Sequence, residues 1–171
     1  MSYNLTGATS GGTFVLTRAG GATANLVTGG AATTVTPQNT TFALAGKLYY
    51  AASGTIGTAT PTTDYNTGLA FKPLLPSKGC VYVWGLTSAG ALKLVQGPFV
   101  DLDSAGAWVS PPQFPPIPDD ICPISYSLVR AGSTASASGW LIGTNNFTGV
   151  TGITVTTAVD LFAMPSVPQT S

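Results

Sequence analysis

The sequence predicts an all-β fold: an antiparallel β-sandwich or barrel-like domain with a Pro-rich crossover. Three observations predict it. First, the composition disfavours helix, because 26 of 171 residues are Thr, 21 are Gly and 13 are Pro, and Glu is absent. Thr fits a pleated, half-buried surface, whereas exposed helical positions call for Glu, Lys and Arg. Second, apolar residues alternate or run together over strand-length stretches. Third, turn residues separate those stretches about every 8–12 residues, as in sandwiches and barrels.

The chain divides into two compositional zones. Residues 1–46 carry one charged residue, Arg18, and are dominated by Thr, Gly and Ala. Phe14-Val15-Leu16, Leu26-Val27 and Phe42-Ala43-Leu44 are short apolar patches, and Gly-Gly pairs punctuate the zone at 11–12, 20–21 and 29–30. Phe14, Leu16 and Arg18 alternate with Thr13, Val15 and Thr17, which fits a strand. Ordering backbone costs roughly 1–2 kcal/mol per residue, and small side chains return little of it. This zone is therefore expected to be ordered by pairing, either as added strands or as an arm lying on another chain.

Residues 47–171 read as a compact β domain. Cys80 to Leu86 is continuously apolar, so both faces of that strand are expected to be covered. Thr87-Ser88-Ala89-Gly90 forms a turn, and Ala91 to Gln96 returns as the second strand of a hairpin. Phe99 to Asp103 leads into a second turn, Asp103-Ser104-Ala105-Gly106, followed by Ala107-Trp108-Val109. Ser110 to Pro118 holds five prolines in nine residues. Proline fixes its own φ and biases its predecessor toward extended geometry, so this is a polyproline-II strap and not a ladder strand. Asp119 and Asp120 are expected to cap one short helical turn. In Ile124 to Arg130, Ile124, Tyr126 and Leu128 alternate with Ser125, Ser127 and Val129. Gly139 to Gly143 and Ile153 to Met164 supply the last predicted strands.

The composition also bounds function. Six Lys and Arg balance six Asp, and His is absent. His-based catalysis, His metal ligands and an imidazole pH switch are excluded. Two Cys do not make a four-ligand zinc site. Six scattered cations suit nucleic acid poorly, since phosphate affinity needs clustered Lys and Arg. The apolar run at Cys80–Trp84 falls far short of the about 20 residues of a membrane-spanning helix. Met1 to Leu5 shows neither a basic nor an apolar leader region, so cytoplasmic synthesis is expected, with Cys80 and Cys122 as buried thiols. No cofactor, metal, nucleic-acid or membrane partner is expected.

Few residues invite chemistry. Asp101 and Asp103 are spaced for one strand face, a pattern that acid–base work or calcium would use. A turn-stabilising Asp103 explains the second of them better. Gly54 to Thr58 lacks the Gly-Lys-Ser/Thr ending of a phosphate loop. Trp84, Trp108 and Trp140 fall in predicted strands, which suits core or subunit interface more than sugar stacking.

Pro61-Thr62-Thr63-Asp64-Tyr65-Asn66-Thr67-Gly68, Gly79 to Leu86, Gln96-Gly97-Pro98, Pro112 to Asp119, Cys122-Pro123 and Arg130-Ala131-Gly132-Ser133 together carry a resemblance. Over about residues 60–168 the chain resembles virion structural proteins of tailed bacteriophages, in particular capsid decoration (cement) proteins. The resemblance implies a non-enzymatic protein on the capsid surface that bridges and stabilises capsomers of the major capsid protein, made in the host bacterial cytoplasm. A charge-poor β chain covers its edges by symmetric association, commonly two- or threefold, and a homotrimer is the expected form of such a decoration protein. Interface centres are depleted in charge and enriched in aromatics, which makes Phe14, Leu16, Trp108, Phe114 and Ile117 the candidate interface residues. The alternative is a fibre, spike or lectin-like module that binds host surface glycans through Trp and Asp.

Overall fold

The computed structural model describes residues 14–18, 25–26, 33–35, 40–51, 58–156, 159–161 and 168. Among them the strands are β1 (Phe14–Arg18), β2 (Asn25–Leu26), β3 (Thr33–Val35), β4 (Thr40–Leu44), β5 (Lys47–Ala51), β6 (Thr58–Ala59), β7 (Lys78–Thr87), β8 (Leu92–Gln96), β9 (Val100–Asp101), β10 (Ile121–Ala131), β11 (Ile153–Val155) and β12 (Val159–Asp160). No helix occurs among the described residues, and all strand pairings are antiparallel. The architecture is sandwich-like and open: a central sheet runs β11-β10-β7-β8, with β12 also on β10 and β9 also on β7. Two smaller sheets run β1-β4-β5 and β2-β3-β6.

β7 organises the fold. Its eight inner residues, Gly79 to Leu86, are all buried, as their unbroken apolar character predicts. Side chains alternate across a strand. Cys80, Tyr82, Trp84 and Leu86 therefore enter the main core, while Val81 and Val83 enter a smaller cluster on the opposite face.

The main core is closed by Phe42, Leu44 and Ala51 of the β4–β5 hairpin and by Phe71, Leu74, Trp140, Ile142 and Phe147 from loops. Its aromatic rings meet at angles: Tyr82 and Trp140 lie edge-on at 6.2 Å, and Trp84 and Phe147 are tilted at 6.5 Å. Over the opposite face the strap lays Phe114 and Ile117, and Phe114 meets Tyr126 edge-on at 5.1 Å. The five prolines thus take no ladder position, and Phe114 and Ile117 between them pack against the cluster of Val81, Val83, Tyr126 and Leu128.

β10 departs from the simple alternation. Cys122 pairs Leu86, yet Ser125 pairs Trp84, so one extra residue is inserted between Pro123 and Ser125. A bulge of this kind reverses which parity faces which side. Ile124 packs in the main core with Cys122, whereas Tyr126 and Leu128 face the strap. Pro123, which has no N–H to donate, occupies this irregular point in an otherwise central strand. The sequence pattern placed Ile124 with Tyr126; the bulge separates them.

Two further expectations are corrected. Asp119 and Asp120 cap no helical turn, because the Ile121 N–H bonds back to the Pro118 carbonyl at 3.3 Å and β10 begins at once, pairing Ile121 with Thr87. Gly139 to Gly143 is not a strand. Only Trp140 bridges Leu74, after which the chain turns, held by Asn145 Oδ1 accepting the Leu141 N–H at 2.7 Å. Trp108 likewise makes a single bridge, to Leu102, and not a ladder.

The compositional boundary at 46/47 falls at a turn, since residues 40–51 form one hairpin closed by Ala45-Gly46. Both turn residues have positive φ, 50° and 76°. That is the geometry of a type I′ hairpin, which favours Asn-Gly. Alanine in the left-handed region costs about 1–2 kcal/mol. Ala45→Asn is expected to stabilise the protein by about 1 kcal/mol, read as a higher urea midpoint at unchanged slope.

Candidate functional site

The loop between β6 and β7, residues 60–77, is built around Asp64, which is 6% exposed. The Asp64 carboxylate accepts the Thr67 hydroxyl at 2.8 Å, the Gln96 N–H at 3.1 Å and the Asn66 N–H at 3.4 Å. A buried carboxylate requires such donors, so Asp64 ties the loop to the end of β8. The Gln96 side chain completes the tie. Its carbonyl accepts the Lys72 N–H at 3.0 Å, and its amide donates to the Lys72 carbonyl at 2.9 Å and to the Tyr82 hydroxyl at 3.0 Å.

Between this loop and the strap lies a groove of about 540 Å³, lined among others by Asp64, Lys72, Gln96, Phe99, Gln113 and Phe114. The acid and Gln96 are occupied by structural bonds, so Leu69, Lys72, Phe99 and Gln113 are among the side chains left to meet a ligand. A second hollow of about 310 Å³ is lined by Arg130, Gly106 and Ile153, and Arg130 Nη1 donates to the Gly106 carbonyl at 3.2 Å.

The predicted pair Asp101 and Asp103 makes structural contacts. Asp101 faces Lys78 in the β7–β9 register and forms an ion pair with it. Asp103 Oδ1 accepts the Ala105 N–H at 2.9 Å and the Ala107 N–H at 2.8 Å, as expected of a turn Asp. Asp120 accepts the Tyr65 hydroxyl at 2.6 Å, which holds that phenol above its ordinary range, and Lys93 lies 5.1 Å from the same ring. No group of three or more His, Cys, Asp or Glu gathers as a metal site among the described residues. No helix among them is long and apolar enough to cross a membrane. Gly54 to Gly57 lie outside the described residues.

Cys80 and Cys122 are buried and not joined in a disulfide. They pair with Val129 and Leu86, at opposite ends of the β7–β10 ladder. Six strand positions are about 20 Å, far beyond the reach of a disulfide. Burial pushes the Cys80 thiol and the Tyr82 phenol well above their usual ranges. The fold therefore retains protons that the unfolded chain releases. The stability these groups supply is complete below the unfolded thiol value of 9.0 and is lost as pH rises beyond it. Denaturant midpoints are expected to fall as pH is raised above that value, and the native thiols are expected to resist alkylation until the chain unfolds.

Of the candidate interface residues, Trp108, Phe114 and Ile117 come together on the strap face of the central sheet, each partly buried against the smaller cluster. Trp108 lies over Gly79, in the space a side chain there would take. Phe14 and Leu16 belong to β1, whose side chains lie outside the described residues. Trp84 and Trp140 are core residues, 0% and 2% exposed, and are not placed to stack on a sugar.

Among the described residues, the large apolar side chains that stay in solvent are others: Leu48, Tyr50, Leu69, Leu75, Phe99 and Val109. Sequence reasoning passed over them because Lys47-Leu48-Tyr49-Tyr50 lacks a clean polar–apolar alternation and the rest are residues in loops. Comparison with protein-family models, curated proteins and solved structures found no match.

Proposed function

We propose that this chain is a non-enzymatic structural protein of a tailed-bacteriophage particle, a capsid decoration (cement) protein that bridges and stabilises capsomers of the major capsid protein. The observation that carries the reading is the distribution of exposed apolar side chains on a nearly uncharged surface. Leu69 is 69% exposed, Val109 65%, and Phe99 lies at the rim of the strap groove. Exposed apolar side chains on so charge-poor a chain support docking on another protein surface, since interface centres are depleted in charge. The resemblance over residues 60–168 supplies the partner, the major capsid protein. A protein that binds only the assembled shell stabilises it by mass action, with no chemistry required.

The test is addition and removal. Heads lacking the chain should break at lower temperature, and purified protein should bind them and restore the threshold. Heads with an unchanged threshold that bind none of the added protein would overturn the proposal.

The groove favours a second reading, a fibre or lectin-like module that binds host surface glycans. Its volume suits a small saccharide, with Phe99 for stacking and Lys72 and Gln113 for hydroxyls. A glycan array decides it: specific hits abolished by Phe99→Ala support this reading, and a blank array removes it.

A further inference from the structure

β5 is the outer strand of its sheet, and among the described residues no strand pairs with its other edge. In a two-residue hairpin the pair closing the turn is hydrogen-bonded, and bonded pairs then alternate along the ladder. Leu44–Lys47, Phe42–Tyr49 and Thr40–Ala51 are the bonded pairs here. Leu48 and Tyr50 consequently aim their N–H and C=O groups at the open edge. Their side chains share one face and are 67% and 62% exposed, while Tyr49 and Ala51 turn to the core.

The geometry points to this edge as a two-fold contact with a second copy of the chain. Placed antiparallel with Tyr49 opposite Tyr49 of the other copy, the strand is its own complement. Leu48 then faces Tyr50 of the other copy, and Tyr50 faces Leu48. Both are bonded pairs, so the four backbone groups at the open edge gain four hydrogen bonds. The same register makes two aliphatic–aromatic cross-strand contacts, a favourable class. Lys47 falls opposite Ala51, so the one charge on the strand meets no like charge. The two outer sheets merge into a continuous six-stranded sheet, and an exposed apolar edge is removed from solvent. A contact of this kind uses the same patch on both copies and closes at two. It is thus separate from any threefold assembly.

A single strand edge is small beside a standard interface, so the dissociation constant is expected on the order of 100 µM. Sedimentation of the full chain across about a hundredfold range of concentration around that value should show monomer passing to dimer. Leu48→Glu and Tyr50→Lys should each weaken the dimer about tenfold, since each removes both Leu–Tyr contacts. An equimolar mixture of the two variants should recover association, because the carboxylate introduced in one chain then faces the ammonium introduced in the other. Amide exchange on the unaltered protein gives a test that no substitution can confound: the Leu48 and Tyr50 N–H groups should gain protection with concentration while that of Tyr49 does not change. A chain monomeric throughout, an oligomer indifferent to both variants, or no concentration-dependent protection at Leu48 and Tyr50 would overturn the inference.

Discussion

Replacing Trp84 with Ala is expected to cost about 3–5 kcal/mol, the largest single loss in the molecule. Trp84 is fully buried in the middle of β7, between Leu94 on β8 and Ser125 on β10. Its indole packs against Phe147, and its N–H donates to Ser127 Oγ at 3.2 Å. The substitution opens a cavity bordered by strands on both sides, which the ladders prevent from collapsing. A domain of this size is held by about 5–15 kcal/mol in total, so the variant should lie close to its unfolding threshold. Trp84→Phe should lose less, about 2 kcal/mol, keeping most of the packing while leaving the Ser127 hydroxyl without its donor. Urea unfolding of the three proteins checks both values. A Trp84→Ala loss below about 1 kcal/mol would mean that the core repacks freely around the gap.

Gly152→Ala is expected to cost about 3 kcal/mol or more, and Gly149→Ala only about 1. The two glycines share one backbone conformation, with φ of 75° and 73°. Each substitution therefore incurs the same left-handed strain. They differ in what surrounds them. A Cβ at Gly149 meets nothing within 4 Å, whereas one at Gly152 comes within 2.8 Å of Thr134 C and Ala135 Cα. Those are backbone atoms of the 132–135 turn, which cannot swing aside as a side chain would. Gly152 also accepts the Gly132 N–H at 2.7 Å, so displacing the turn breaks that bond and disturbs the start of β11. Thermal unfolding of the pair separates strain from clash. Equal shifts would show that the turn yields at little cost.

Much of the architecture was legible because it follows from local rules. The unbroken apolar stretch at Cys80–Leu86 required a strand covered on both faces, and β7 is that strand. Thr87–Gly90 turned the chain into β8, and Asp103 accepted the backbone N–H groups of its own turn. The prolines of 110–118 were barred from a ladder, and the strap they stiffen lays Phe114 and Ile117 over one. Three features were not legible. Ile124 alternates with its neighbours on paper, but the inserted residue beside Pro123 reverses the parity of half a strand. Trp140 carries strand-like neighbours, yet its backbone finds only Leu74. Asp120 resembled a helix cap and became the acceptor for Tyr65, a residue 55 positions away.

The candidate surfaces divide in the same way. Trp108, Phe114 and Ile117 are apolar residues near prolines, and their types suggested a contact face. The strap and the Leu102–Trp108 bridge before it place them over β7 and β10, where each is already partly buried within the chain. Leu48 and Tyr50 remain exposed because β5 is the last strand of its sheet among the described residues.

By itself the sequence determined the all-strand class, the central strand, its hairpin partner, the strap and the lack of imidazole chemistry, because composition, side-chain period and proline geometry act within a few residues. Only the tertiary structure decided which face each half of β10 presents, where Asp64 and Asp120 find their donors, and which apolar side chains stay in water. Those outcomes depend on groups far apart in the chain competing for the same space and the same hydrogen bonds, a competition that local pattern does not record.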